Sequence, residues 1–267
     1  PGVPLPHPLP HVVVKAARAA DVPVLGDVEL FADAVCNMAE TPKIVAVTGT
    51  NGKSTTSALI AHLLANSGAA VRLGGNIGHA VLDLDMPAQG AQTVYVLELS
   101  SYQIDLLETL APDVAVLTNL APDHLDRHGD MAGYVAAKSR LFDMLAPHAT
   151  AVIGCDDDES RTIADALHAS GQQVRRIAAS GGADICWRNG ALMAGKDVLA
   201  NLENAPALRG AHNGQNAAAA TAVLGALGHD MKDLQQALED FPGLAHRLQR
   251  VGAYENLIFV NDSKATN

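Results

Sequence analysis

The stretch Ile44-Val45-Ala46-Val47-Thr48-Gly49-Thr50-Asn51-Gly52-Lys53-Ser54-Thr55 decides the fold class. Residues 44–47 read as a buried-type strand, and Leu59, Ile60, Leu63 and Leu64 recur at helical spacing after it. Strand, glycine loop and helix in that order are the setting of a phosphate-binding loop. Glycines let the backbone turn its N–H groups towards phosphate oxygens, and the helix start adds partial positive charge. Lys53 is spaced to reach the terminal phosphates and the Ser54 hydroxyl to ligate Mg²⁺. The longer form of the pattern wants glycine at position 47, where this chain has Val47; the shorter G-x-x-G-K-[ST] form is satisfied. A glycine turn with a surface lysine is the bland alternative, and the agreement of strand, loop and helix argues against it.

Downstream, Val94–Leu97, Val114–Leu117 and Ala151–Ile153 are further apolar runs separated by helical stretches. Continuous apolar strands alternating with helices imply an α/β fold, a mostly parallel sheet covered by helices on both faces. Asn189-Gly190 between two short apolar runs predicts an antiparallel hairpin. Helices are expected at about 213–227 and 231–240, and a final strand at 257–260. Upstream, five prolines within residues 1–10 exclude regular structure there. Residues 12–20 read as a helix, 22–25 as a strand and 29–38 as a second helix. Residues 39–42 form a linker at a domain boundary.

The 267 residues carry 29 acidic and 18 basic side chains, a net charge of −11. Such a chain repels a phosphate backbone, so nucleic acid is excluded as a partner. Cys36, Cys155 and Cys186 are odd in number and far apart, which speaks against a disulfide framework or zinc site and for a reducing cytoplasm. With no apolar run of about 18 residues, no membrane partner is expected. The chain opens Pro1-Gly2-Val3-Pro4 without methionine and stops at Asn267, and it reads as a piece of something longer.

In a parallel sheet, ligands gather at the carboxyl ends of strands. Glu98 ends the run at 94–97, on the same edge as the phosphate loop, where a carboxylate can hold Mg²⁺; alone it would read as a solvated strand-end acid. Thr118 to His128 again follows a strand, with Asp123, His124, Asp126 and His128 crowded into six residues. His124 is read either as a ligand or as an exposed side chain. Lys138, in a helical stretch at 134–142, reads by itself as a surface lysine. Asn213 suits a helix cap, whereas Asn216 falls inside the helix. His246-Arg247 and Asn261 to Asn267 are polar clusters that are weak singly.

Taken together, Gly49 to Thr55, Asn76 in Gly74-Gly75-Asn76-Ile77-Gly78, Glu98, His124, Lys138, the His212/Asn213/Asn216 segment and His246-Arg247 resemble the Mur ligase family in order and spacing over nearly the whole chain. Residues 98–103 and 261–267 resemble the branch that adds D-glutamate. The resemblance implies residues 1–40 as the tail of an N-terminal UDP-binding domain, 41–245 as a central ATP-binding domain, and 246–267 as the start of a C-terminal amino-acid-binding domain, the flanking pieces being Rossmann-like. It implies that ATP is bound by Gly49, Thr50, Asn51, Gly52, Lys53, Ser54, Thr55, Asn216, Arg247 and Asp262. Metal, as Mg²⁺, falls to Ser54, Glu98, His124 and Lys138, the last as a carbamate formed with CO₂. Catalysis falls to Lys53, His124 and Lys138, and substrate contacts to Asn76, Ser100, Lys264 and Thr266. The implied partners are UDP-N-acetylmuramoyl-L-alanine and D-glutamate, handled by a monomer in a bacterial cytoplasm. The rivals are another Mur ligase, a folylpolyglutamate-type ligase, or a nucleotide-binding piece without chemistry; these 267 residues alone are expected to bind ATP weakly and not to ligate.

Overall fold

The computed structural model describes residues 10–38, 41–87, 92–247 and 249–264. Strands β1 (Lys43–Thr48), β3 (Thr93–Glu98), β4 (Val114–Leu117) and β5 (Thr150–Gly154) are apolar on both faces because both faces are covered. Val45, Val47, Val94, Val96, Val114, Val116 and Val152 point to one side. Ile44, Ala46, Tyr95, Leu97, Ala115, Leu117, Ala151 and Ile153 point to the other. That period-2 split builds two cores from single runs of sequence.

On the first side lie α3 (Lys53–Asn66) and α8 (Ala211–Ala226), with α9 (Leu234–Glu239) beside them. Ala217 to Ala220 of α8 are all buried; with side chains this small, the helix lies close against the sheet. On the second side lie α2 (Asp27–Cys36), α4 (Ser101–Ile104), α6 (Met131–Asp143) and α7 (Asp158–Ala169). Helix α2 buries Val28, Phe31, Ala32 and Val35 in this core, and buried Glu29 accepts the backbone N–H groups of Glu108 and Thr109 at 2.9 and 3.1 Å. Helix α2 thus packs into the sheet's second core although it precedes the boundary expected near residue 41.

With β2 (Ala70–Gly75), β6 (Gln173–Ala178), β7 (Ile185–Arg188), β8 (Ala191–Ala194) and β9 (Asp197–Asn201), the sheet runs β2-β3-β1-β4-β5-β6-β7-β8-β9. It is parallel through β7 and antiparallel beyond, so the expected excursion at Asn189-Gly190 is present as the β7–β8 turn. From β1 the chain crosses to β2 and β3 on one side and then to β4 on the other. The crevice above the end of β1 is thus the topological switch point.

Three expectations are corrected. Residues 22–25 form no strand: Pro23 lacks a donor, and Val22 and Leu25 are exposed with no partner strand. The helix expected at 231–240 begins only at Leu234. Helix α8 starts at Ala211, capped by Gly210 without a side-chain bond, so Asn213 is not its cap and donates instead to the Arg209 carbonyl at 3.0 Å. Two others are present as expected: the helix at 12–20 is α1 (Val12–Ala19), and the strand at 257–260 is β11 (Leu257–Asn261), paired among the described residues only with β10 (Gln249–Tyr254) in a separate two-stranded ribbon. Among the described residues no helix is long and apolar enough to cross a membrane.

Candidate active site

The loop after β1 turns through Gly49 (φ 142°) and Gly52 (φ 82°), backbone settings that exclude most side chains. Added Cβ atoms would collide with Thr118 Oγ1 and Asn216 Oδ1 respectively. Helix α3 then starts with no side-chain cap and no acidic residue in its first turn, so its end N–H groups and dipole face the crevice uncompensated. Lys53 Nζ folds back onto the Gly49 and Thr50 carbonyls at 3.0 and 2.8 Å. Burial lowers the pKa of Lys53, against the opposing pull of Glu98 and Asp123.

Glu98 is paired in register with Val47 at the end of β3 and is only 2% exposed, contrary to a solvated acid. Its Oε1 accepts from Asn76 Nδ2 at 3.0 Å, while Oε2 is buried with no hydrogen-bond partner among the described residues. A buried carboxylate oxygen left bare is costly. A hard divalent cation is the partner such an oxygen suits, so the residues present fit Mg²⁺. Ser54, one residue past Lys53, adds a hydroxyl; it accepts from Arg247 Nη2 at 3.4 Å, which brings the 246–247 turn onto the phosphate loop.

Lys138 is likewise 2% exposed and not a surface lysine. Its Nζ reaches Thr48 Oγ1 at 3.4 Å and lies 4.8 Å from the Tyr134 ring centre, one helical turn back on α6. Burial, then the charge of Lys53, push its pKa down to about 7, so much of it is a neutral amine at neutral pH.

The loop after β4 returns over the crevice. His124 sits there in a left-handed conformation (φ 50°) as the start of α5 (Leu125–His128), part exposed, with Nε2 3.5 Å from Asp123 Oδ2 and its ring 5.2 Å from that of Tyr102. Buried Arg127 anchors α5 through Asp105 at 2.8 Å and lies 4.0 Å over the Tyr102 ring.

Lys53, Ser54, Glu98, Asn76, Lys138 and Arg247 are therefore brought to one crevice, with His124 at its rim. Asn216 lies beneath the loop, its Oδ1 accepting from Thr56 Oγ1 at 3.1 Å and its Nδ2 donating to Asn213. The Ser100 hydroxyl is engaged in a capping box with Gln103 at the start of α4. Asp262 and Lys264 are exposed beside His246, whose carbonyl accepts the Lys264 N–H at 3.1 Å. Thr266 lies outside the described residues. Sequence reading assigned no role to Asn119 and Tyr134, which bond the loop at Asn51 and Thr50, or to Thr48 and Thr56, which bond the Leu99 carbonyl and Asn216 beside it; Thr118-Asn119 had a usable signal in following a strand at the switch point.

The Mur ligase middle domain pattern matches residues 47–224, the span that holds Lys53, Glu98 and Lys138. The chain belongs to the Mur ligase family. A Caulobacter vibrioides protein named UDP-N-acetylmuramoylalanine–D-glutamate ligase is 51% identical over 277 residues, covering 100% of this chain and 58% of that protein. Like-named proteins of Nitrobacter hamburgensis and Brucella abortus are 49% and 48% identical over 100% of this chain and 58% and 57% of their own lengths. The chain thus spans somewhat over half the length of these curated relatives. Among Mur ligase structures, MurF from Thermotoga maritima in complex with ADP superposes with a TM-score of 0.67 at 20% identity over 88% of this chain and 56% of that one. Escherichia coli FolC in complex with DHPP and ADP gives 0.64 at 20% identity over 89% and 66%. At such identities these structures establish the shared fold alone.

Proposed function

We propose that this chain is the nucleotide-binding and acid-activating part of an ATP-dependent ligase that joins D-glutamate to UDP-N-acetylmuramoyl-L-alanine in the bacterial cytoplasm. Residues 41–245 are assigned to its ATP-binding domain, with 1–40 and 246–267 belonging to the flanking ones. The observation that carries the reading is the Glu98 carboxylate, buried beside Lys53 with no hydrogen-bond partner for Oε2 among the described residues, at the open end of a phosphate loop. Near-half sequence identity to proteins named for D-glutamate addition supports that branch over MurF-like or FolC-like chemistry, for which only the fold speaks.

A free carboxylate is a poor acylating agent, so its oxygen first attacks the γ-phosphorus of ATP, giving an acyl phosphate and ADP. The D-glutamate amine then attacks the acyl carbon, passes through a tetrahedral intermediate, loses a proton and expels inorganic phosphate. Lys53 offsets the repulsion between the incoming carboxylate and the triphosphate. The uncapped start of α3 receives phosphate oxygens. Ser54, Glu98, His124 and Lys138 would hold Mg²⁺, which supplies further neutralisation of phosphate charge when bound. Asn76 fixes the Glu98 carboxylate through Oε1. Arg247 adds positive charge beside Ser54. Asn216 backs the loop's second glycine from below.

Lys138 takes part as a carbamate: its neutral amine adds to CO₂ and releases a proton. The product replaces a buried cation facing Lys53 with an anion able to bind metal. A pKa near 7 makes the neutral amine available, and repulsion from Lys53 favours the change of sign.

The test is turnover by the complete gene product across a substrate panel. Phosphate release should require UDP-N-acetylmuramoyl-L-alanine, ATP and D-glutamate together. Equal turnover with a folate or an L-amino acid would end the assignment.

A further inference from the structure

The ladder between β1 and β4 ends in register at Thr48 opposite Leu117, with one more rung from the Thr118 N–H to the Thr48 carbonyl at 3.0 Å. Beyond it Gly49 turns the phosphate loop away. Yet the two chains stay tied. Asn119 Oδ1 accepts the Asn51 backbone N–H at 2.9 Å, and Asn119 Nδ2 donates to the Asn51 carbonyl at 3.0 Å. The amide side chain therefore grips both main-chain groups of one loop residue, as a neighbouring strand would. Thr118 Oγ1 donates to the same Asn51 carbonyl at 2.7 Å, and the Thr50 N–H donates to the Asn119 carbonyl at 2.8 Å. The Thr50 hydroxyl completes the brace, accepting from the Ala121 N–H at 3.0 Å and meeting the Tyr134 hydroxyl at 3.1 Å.

We infer that Asn119 is the positioning residue of the phosphate loop, holding Thr50 and Asn51 in place so that triphosphate is read by the N–H groups from Gly52 onward. This rests on the proposal above that the loop binds ATP. The N–H groups of Thr50 and Asn51 are committed to residue 119. Phosphate oxygens are left with the first turn of α3, which has no side-chain cap. A loop fixed before ligand arrives loses less entropy on binding and presents its dipoles without rearrangement. Because Asn119 also opens the segment carrying Asp123 and His124, the brace ties the nucleotide loop to the loop at the crevice rim.

The experiment is ATP titration of this chain by calorimetry, for wild type and Asn119→Ala, with amide hydrogen exchange on both. Losing two hydrogen bonds to Asn51 should weaken ATP binding by about tenfold. The Thr50 and Asn51 amides should exchange at least about tenfold faster in the variant while those of β3 keep wild-type rates, a local change that general destabilisation would not give. ATP affinity within twofold of wild type, or unchanged exchange at Asn51, would overturn the assignment of Asn119 and leave the nucleotide reading standing. A wild-type chain without ATP affinity would instead bring down that reading, and this inference with it. If Asn119→Ala does not fold, Thr118→Val, which removes one donor to the Asn51 carbonyl, serves in its place: about threefold weaker binding supports the brace and wild-type affinity refutes it.

Discussion

Two regions of this molecule are written in nearly the same residues and end in opposite surroundings. In β3 and β4 the valines and leucines are closed from water on both faces by helices. In β11, Leu257, Ile258, Phe259 and Val260 are 51–61% exposed, and among the described residues the strand pairs with β10 alone. An apolar run marks a strand in both cases, but what lies over it decides whether it stores free energy. The parallel sheet buries its strands, and its carboxyl edge can then carry Glu98 and Lys138 out of water without the fold collapsing. The ribbon carries no such load. Substitutions should therefore sort by region, and the widest gap lies at the sheet edge.

The largest effect is expected at Lys138. In the complete gene product, Lys138→Ala should lower kcat by at least about a hundredfold, the scale of removing a group that positions transition-state charge. A short-chain carboxylic acid, supplying the missing anionic oxygens, should restore part of it. Full activity in the variant would remove Lys138 from the site and with it the reason for the edge to be buried.

Next comes the core beneath that edge. Leu97→Ala, at a fully buried position one residue before Glu98, should destabilise the chain by about 2–5 kcal/mol in urea unfolding, through lost burial and a residual cavity. A loss below about 1 kcal/mol would mean that the edge is supported from elsewhere.

How far this arrangement is legible in the sequence follows the same division. Strands β1, β3, β4 and β5 stand out because both faces need apolar residues. Strand β2 contains Arg72, Gly74 and Gly75, and β6 contains Arg175 and Arg176, with Arg176 paired to Asp165 of α7 at 2.8 Å. Their outer or half-open positions accept charge, so they escape an apolar reading. Residues 22–25 fail in the other direction, apolar in composition but without a partner. At the site, Lys53 and Glu98 are legible because loop chemistry and strand ends are local properties. That Lys138 is buried, and that Asn119 grips Asn51, depends on neighbours distant in sequence, and no single-chain pattern encodes them.

A third test uses the charge at Lys138 directly, in metal-free and CO₂-free buffer. Its folded pKa of about 7 lies below the ordinary 10.5. Below pH 7 both folded and unfolded chains hold the proton, and the folded state bears the full penalty of a buried ammonium. Between pH 7 and 10.5 the unfolded chain binds more protons, so stability contributed by this group rises with pH. Lys138→Met lacks the penalty. It should exceed wild type most at pH 6, by on the order of a few kcal/mol, and the gap should narrow steadily towards pH 10. A gap independent of pH would mean that Lys138 is not held in a water-poor site.

The smallest effect belongs to the ribbon. Ile258→Ser replaces a side chain whose residue is 55% exposed, in a two-stranded sheet over which no helix packs among the described residues. Little apolar surface is recovered from water there, and serine's lower strand preference is worth a fraction of a kcal/mol. The free energy of urea unfolding should stay within about 0.5 kcal/mol of wild type, against the several expected for Leu97→Ala. If the two substitutions instead cost the same, the ribbon would be folding as one unit with the sheet, and the contrast between a stored and an unstored apolar strand would no longer hold for this chain.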